Sequence, residues 1–143
     1  MRKQRLVLHV ALGIGILGCL SDFVRAAEVE TRVSVPGGAY TNVTAPVLKR
    51  MLESKDFSLA NVHVPYEGEI AKTDAFIRFD QVEKQLHLLP ARKDAKIVLY
   101  CMSGRMSDIA ARTLVRLGYT NIWNLDGGMI DWRQRGYPLL SKP

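Results

Sequence analysis

The fold is indicated most clearly by residues 96–108, which read KIVLYCMSGRMSD. After Lys96 the stretch begins with an unbroken apolar run, which is typical of a parallel-sheet strand buried on both faces. A short glycine-containing loop, Cys101 to Met106, comes next. Ser107 then fits the N-cap of a helix, and Asp108 lies in its first turn, where a negative charge is favoured. The stretch therefore predicts a central strand, a tight loop and a helix.

The flanking sequence alternates between strand and helix patterns. Further strands are predicted at 39–43, 58–64, 76–79 and 121–125. Helices are predicted after Thr44, at 81–89, from Ser107 to Gly118, and at 129–135. This alternation predicts an α/β domain with a mainly parallel sheet flanked by helices. We assign residues 39–143 to the domain and expect 27–38, which end in a Pro-Gly-Gly turn, to be a linker.

Residues 1–26 are expected to be a signal peptide rather than part of the fold. The chain begins with a basic stub, continues with an apolar run at 6–20, and reaches small residues at Ala26 and Ala27. This is the pattern of a secretory leader, and we expect cleavage after Ala26. Alternatively, residues 16–19 (ILGC) resemble a lipobox, which predicts a membrane-anchored lipoprotein that begins at Cys19. Cleavage after Ala26 predicts a soluble exported protein, most simply periplasmic.

Charge and cysteine content narrow the classes of function. The net charge of the 143-residue chain is +6, and the leader holds four basic residues and one acidic residue, so +3 remains after cleavage. Such a modest excess argues against a nucleic-acid partner. The mature chain has too few histidines and cysteines for a metal cluster. Its single thiol, Cys101, is either an inert core residue or a reactive group.

The loop that begins at Cys101 favours a reactive thiol. It follows a central parallel strand, at the edge where α/β sheets bind ligands. Loop N–H groups, the following helix N-terminus and Arg105 all favour a thiolate. Such a thiolate can attack the outer sulfur of thiosulfate, which releases sulfite and leaves a persulfide. The candidate catalytic residue is Cys101, and the candidate substrate-binding residues are Met102, Ser103, Gly104, Arg105 and Met106.

The second half of the chain resembles rhodanese domains. The strand, cysteine loop and helix are followed by Leu117-Gly118-Tyr119, another strand, and Gly127-Gly128 with Trp132 four residues on. The resemblance is dense over about 45 residues and extends weakly back to Ala39. It implies a rhodanese-like fold and a sulfurtransferase without a cofactor. The implied donor is a small sulfur-containing anion or a protein persulfide, and the implied acceptor is cyanide or a thiol.

Several positions depart from the family pattern. Residues 61–63 read Asn-Val-His where the family commonly has Asp-Val-Arg, and of the usual Gly-His-Ile-Pro-Gly-Ala segment only 68–70 (Gly-Glu-Ile) is represented. Methionine stands at 102 and 106, where many relatives carry a basic residue. The methionines imply that the entrance to the site is less positively charged than an enzyme specific for thiosulfate needs. Of the remaining polar residues, we expect His63 to be structural, His87 to be exposed, and Glu67 and Glu69 to be solvated.

Two other functions are weighed against sulfur transfer. Cysteine phosphatases and arsenate reductases have a similar loop, but in them five residues separate the cysteine from an arginine. Here that position is Ser107, and Arg105 comes two residues early, so the pattern disfavours them. A non-catalytic binding or sulfur-carrier module is the remaining alternative, which the altered residues 61–63 keep open.

Overall fold

The computed structural model describes residues 29–141, and its strands form one six-stranded sheet. In chain order the strands are β1 (Glu30–Val35), β2 (Gly38–Val43), β3 (Ser58–Asn61), β4 (Ala75–Phe76), β5 (Ile97–Tyr100) and β6 (Ile122–Leu125). The spatial order is β1-β2-β6-β5-β3-β4. β1 pairs antiparallel with β2, whereas the other pairings are parallel. The predicted α/β fold with a mainly parallel sheet is confirmed.

Helices cover both faces of this sheet. They are α1 (Ala45–Met51), α2 (Arg105–Arg116) and α3 (Gly128–Gln134), with 3₁₀ turns at Leu52–Ser54, Phe79–Lys84 and Leu86–Leu88. α2 packs on one face through Ala110, Ala111 and Leu114. α1 and α3 pack on the other face, where Leu48 and Trp132 lie in a second buried cluster. All four residues of β5 are buried, as the apolar run predicts.

The expectation that residues 27–38 form a linker is wrong, because Glu30–Val35 form the edge strand β1. Val33 and Val35 are partly buried against the α2-side core, while Ser34 between them is exposed. This alternation suits a strand with one covered face. The polar composition of the segment and its Pro-Gly-Gly ending disguise the pattern. The predicted turn does form, at 36–37, and connects β1 to β2.

The helix predicted at 81–89 is also wrong. The segment forms 3₁₀ turns, because the backbone leaves helical geometry at Gln81 (φ −129°) and again at Gln85 (φ −115°), which separates the two turns. Val82 and Leu89 are nevertheless buried, so the apolar spacing that suggested a helix reflects core packing. The strands predicted at 58–64 and 76–79 are shorter than expected, since β3 ends at Asn61 and β4 at Phe76.

The N-terminal predictions fall on residues outside 29–141, including the cleavage site after Ala26 and the lipid attachment at Cys19. Within the described part of the chain, no helix combines the length and the apolar character needed to cross a bilayer.

Candidate active site

Cys101 lies directly after β5, in the middle of the sheet, and only 1% of its surface is exposed. The loop then curls back, so that the Gly104 N–H donates to Cys101 Sγ at 3.1 Å. Gly104 adopts φ +92° at the N-cap of α2. Residues with a Cβ rarely tolerate that conformation. The glycine in the loop is therefore what allows a backbone donor to reach the sulfur.

A second donor comes from Ser107, in the first turn of α2. The residue is fully buried, and its hydroxyl lies 3.4 Å from Cys101 Sγ and 3.1 Å from the Gly104 carbonyl. Its single proton is shared between these two acceptors. The expectation that Ser107 caps the helix is wrong, because Gly104 occupies the N-cap and α2 begins at Arg105. Ser107 is instead the third residue of α2, and its hydroxyl points at the sulfur.

The backbone of the loop is held by the N-terminus of α3. The N–H of Met129 donates to the Cys101 carbonyl and that of Ile130 to the Met102 carbonyl, both at 2.9 Å. This approach requires Gly128, because a Cβ there would lie 2.4 Å from the Cys101 carbonyl oxygen. The Gly127-Gly128 pair noted in the sequence thus allows close packing against the cysteine loop.

The remaining predicted loop residues divide into partly buried and exposed side chains. Met102 and Met106 are partly buried, and Arg133 Nη2 from α3 lies 3.7 Å from Met102 Sδ. Ser103 and Arg105 are exposed. Of the predicted substrate-binding residues, Gly104 thus contacts the Cys101 sulfur. The other four lie elsewhere on the loop. Sequence reasoning missed Arg133, because no local pattern relates it to a residue that stands 31 positions earlier in the chain.

Side chains stabilise the neighbouring segment after β3. Asn61 is buried, donates to the Gly68 carbonyl at 3.0 Å and accepts from the His63 N–H at 3.0 Å. His63 Nε2 lies 2.6 Å from Glu67 Oε2. The ring is thus engaged with Glu67, and no hydrogen bond joins it to Cys101 within residues 29–141, which supports a structural role.

Three further polar residues were expected at the surface. Glu67 and His87 are exposed, as predicted. Glu69 is buried, so its predicted solvation is wrong. Its backbone explains the difference, because Glu69 exchanges hydrogen bonds with Leu140 near the end of the chain, a contact between segments far apart in the sequence.

Tyr100 connects β5 to the segment after β3. Its phenolic oxygen accepts a hydrogen bond from the Ile70 N–H at 3.0 Å and lies 2.7 Å from Thr73 Oγ1. Burial raises the pKa of Tyr100 to about 12. On the other face of the sheet Tyr40 donates to Asp108; burial, followed by this hydrogen bond, raises the pKa of Tyr40 to about 12. Residues 29–141 contain no cluster of three side chains suited to a metal ion.

Together these features define an α/β domain with a buried thiol in a loop between a central strand and a helix. A family model for the rhodanese-like domain matches residues 48–135, well over half of the chain, and the chain belongs to that family. A sulfurtransferase from Allochromatium vinosum is 33% identical over 98 residues, which cover 65% of this chain and 87% of that protein. The likeness supports sulfur transfer at the level of the family.

Other relatives are more distant or much longer. The tRNA uridine(34) hydroxylase of Escherichia coli is 26% identical over 105 residues, and this chain spans only 30% of that enzyme. Among solved structures, a rhodanese-related protein from Thermoplasma volcanium and a rhodanese-like domain protein from Staphylococcus aureus each give a TM-score of 0.60 at 26% identity. Each match covers 71% of this chain and 98% of the other. The fold and the family are thus supported by sequence and by structure.

Proposed function

We propose that this protein is a sulfurtransferase that carries sulfane sulfur as a persulfide on Cys101. The observation that carries the proposal is the convergence of two donors on Cys101 Sγ, the Gly104 N–H and the Ser107 hydroxyl. Hydrogen bonds from fixed donors favour an anionic sulfur over a neutral one. The N-terminus of α2, which begins at Arg105, adds a partial positive charge.

The proposed reaction has two steps. The Cys101 thiolate attacks the outer sulfur of a donor such as thiosulfate, the S–S bond of the donor breaks, and sulfite leaves with the electron pair. An acceptor such as cyanide or a thiol then attacks the terminal sulfur of the persulfide and regenerates the thiolate. The negative charge lies on Sγ in the thiolate and on the terminal sulfur in the persulfide; the two donors stabilise the first, and the N-terminus of α2 favours negative charge in both states.

Thiocyanate formation tests this function. The reduced full chain, supplied with thiosulfate and cyanide, is expected to produce thiocyanate, and Cys101→Ser is expected to be inactive. Polysulfide serves as a second sulfur donor, because the methionine-containing loop predicts a weak response to thiosulfate. Thiocyanate formation above the protein-free rate that persists in Cys101→Ser, or its absence from the wild-type protein with both donors, contradicts the proposal and favours a non-catalytic module.

We further propose that the protein is exported and that its leader is removed after Ala26. The proposal rests on the basic start, apolar run and small residues of 1–26. The intact mass of protein from the periplasmic and membrane fractions of a bacterial host tests it. A mature chain that begins at Ala27 supports the proposal, whereas a lipid-bearing chain that begins at Cys19 favours the lipoprotein alternative.

A further inference from the structure

Asp108, the residue after Ser107, is held by a strand that does not carry the cysteine. Tyr40 of β2 donates its hydroxyl to Asp108 Oδ1, and Arg112, one turn further along α2, donates from Nε to Oδ2 at 2.9 Å. In the sheet, β6 separates β2 from β5, the strand that leads to Cys101. The side chain of Asp108 therefore connects the first turn of α2 to a distant part of the fold.

Hydrogen bonds continue from Asp108 to the sulfur. The Asp108 N–H donates to the Gly104 carbonyl at 3.0 Å, and the same carbonyl accepts from the Ser107 hydroxyl at 3.1 Å. The N–H of Gly104 in turn donates to Cys101 Sγ at 3.1 Å. A series of three contacts, through Asp108 and Gly104, thus leads from the Tyr40 hydroxyl to the sulfur.

The start of α2 lacks the usual side-chain restraint. Its N-cap is Gly104, and within residues 29–141 no side chain caps the helix. The first N–H groups of a helix have no partner inside the helix, and a capping side chain normally stabilises this end. Both donors to Cys101 Sγ, the Gly104 N–H and the Ser107 hydroxyl, lie at this end of α2. The Tyr40–Asp108 contact restrains the same end from outside the helix.

Tyr40 is suited to act as a fixed point. Its side chain lies in the core cluster beneath α2, and only 3% of the residue is exposed. Burial, followed by the hydrogen bond to Asp108, raises the pKa of Tyr40 to about 12, so the hydroxyl keeps its proton and remains a donor at neutral pH. Asp108 is itself partly buried. A hydrogen bond from a packed ring to a charged carboxylate is strong enough to hold that carboxylate in one position.

We propose that Tyr40 is a positioning residue, which acts through Asp108 to hold both donors against Cys101 Sγ. This inference rests on the proposed sulfur transfer and adds to it two residues outside the cysteine loop. Without the Tyr40 hydroxyl the first turn of α2 moves more freely, and each donor spends less time in contact with the sulfur. Because fixed donors stabilise an anionic sulfur, the amount of thiolate and the rate of sulfur uptake both decrease.

Two tyrosine variants of the reduced full chain test the proposal. Tyr40→Phe removes the hydroxyl and keeps the ring. Tyr119→Phe is the matched control, because Tyr119 is also 3% exposed and lies in the same core cluster. Its hydroxyl donates instead to the Pro90 carbonyl at 3.3 Å, in the connection that precedes β5. Intact mass against time, at several concentrations of thiosulfate or polysulfide, gives the rate of sulfur uptake. The ultraviolet absorbance that is lost on alkylation gives the amount of thiolate before any donor is added.

Tyr40→Phe is expected to lower the maximal rate of uptake about fivefold and to lower the thiolate absorbance. The donor concentration that gives half the maximal rate should stay the same, because Tyr40 acts on the sulfur of the protein and not on the donor. Tyr119→Phe is expected to leave all three quantities unchanged. Urea unfolding reports the stability that each variant loses, so an effect on folding is separated from an effect on uptake.

Two variants of Asp108 test the connection to the loop. Asp108→Ala removes the acceptor of the Tyr40 hydroxyl and should lower uptake about as much as Tyr40→Phe, and the double variant should be no slower than either. Asp108→Asn keeps an oxygen acceptor and should recover most of the rate, since it loses only the ion pair with Arg112, which spans one helical turn and is weak. The two Asp108 variants also carry the test if Tyr40→Phe fails to fold.

Each contrary outcome overturns a different statement. Equal uptake by Tyr40→Phe and Tyr119→Phe, or a double variant in which the two losses multiply, contradicts the positioning role while leaving sulfur transfer intact. A raised half-saturating concentration with an unchanged maximal rate also contradicts it, because Tyr40 would then affect binding of the donor. If the wild-type chain takes up no sulfur from either donor, the proposed sulfur transfer itself fails, and the inference fails with it.

Discussion

The cysteine loop and the segment after β3 lie side by side at the same edge of the sheet, but they are held in different ways. In the cysteine loop, backbone groups make most of the contacts, since the Gly104 N–H contacts the sulfur and the N–H groups of Met129 and Ile130 hold the loop carbonyls. In residues 61–70, side chains add contacts to those of the backbone, with Asn61 bound to Gly68 and His63 bound to Glu67.

This difference explains where the sequence keeps the family pattern and where it departs from it. A loop held by backbone groups needs glycines at fixed positions but tolerates other side chains, so methionines stand at 102 and 106 without disturbing it. A segment held by side chains can exchange its residues as a set. Asn61 and His63 are two such replacements, and each has a partner that suits it, Gly68 for Asn61 and Glu67 for His63.

The largest effect is expected from Gly128→Ala, which disrupts the backbone packing of the loop. The new Cβ would lie 2.4 Å from the Cys101 carbonyl oxygen and 2.7 Å from the Met102 carbonyl. The loop must move, and a displacement of about 1 Å is enough to cost roughly 100-fold in rate. We expect a loss of at least this order in thiocyanate formation, together with about 3 kcal/mol of stability in urea unfolding.

Gly136→Ala is the matched control for this variant. Gly136 also has a positive φ, +76°, but a Cβ there meets nothing within 4 Å. It should therefore lose only about 1 kcal/mol from backbone strain and keep its activity. Equal losses of activity in the two variants would show that strain, and not contact with the cysteine loop, explains the result.

The next effect is expected from Ser107→Ala, which removes the side-chain donor to the sulfur. A hydrogen bond to a charged group contributes about 1.5 kcal/mol or more, so the rate of sulfur uptake should fall about tenfold. Thr113→Val, which removes a hydroxyl further along α2, is the control. An unchanged uptake rate in Ser107→Ala would mean that the Gly104 N–H alone stabilises the anionic sulfur.

A smaller effect on activity, but a clear one on stability, is expected from Asn61→Asp. The change restores the residue common in the family but replaces the donor to the Gly68 carbonyl with a second acceptor. Burying this unsatisfied pair should cost about 2 kcal/mol in urea unfolding, with sulfur uptake reduced far less than in Gly128→Ala. A gain in stability would mean that residues 61–70 are not held as the comparison describes.

The smallest effect concerns Tyr100, whose side chain bridges the two regions. Because its pKa is raised from 10.0 to about 12 in the folded protein, the folded chain keeps a proton that the unfolded chain loses. Stability is therefore expected to fall as the pH rises from 10.0 to about 12. Urea unfolding at several pH values measures the slope, and Tyr100→Phe should reduce it. An identical slope in the variant would assign the effect to other groups, with Tyr40 as the first candidate.

The sequence predicts the part of the fold that depends on local pattern. The β5–loop–α2 unit and the Gly127-Gly128 turn are contiguous, so apolar runs and glycines suffice to identify them. The role of Ser107 cannot be predicted in this way, because a serine near a helix start suits a cap as well as an inward hydroxyl. The strand β1 and the Tyr40–Asp108 contact, which joins residues 68 positions apart, depend on tertiary pairing that no local pattern records.

The central claim is that Cys101 carries sulfane sulfur as a persulfide, and intact mass tests it most directly. The reduced full chain is incubated with thiosulfate or polysulfide, and its intact mass is measured before and after cyanide is added. Cys101→Ser is treated in the same way. We predict a gain of one sulfur atom that is absent from the variant and reversed by cyanide. A wild-type mass that stays unchanged with both donors, or a gain of sulfur that persists in Cys101→Ser, would contradict the account.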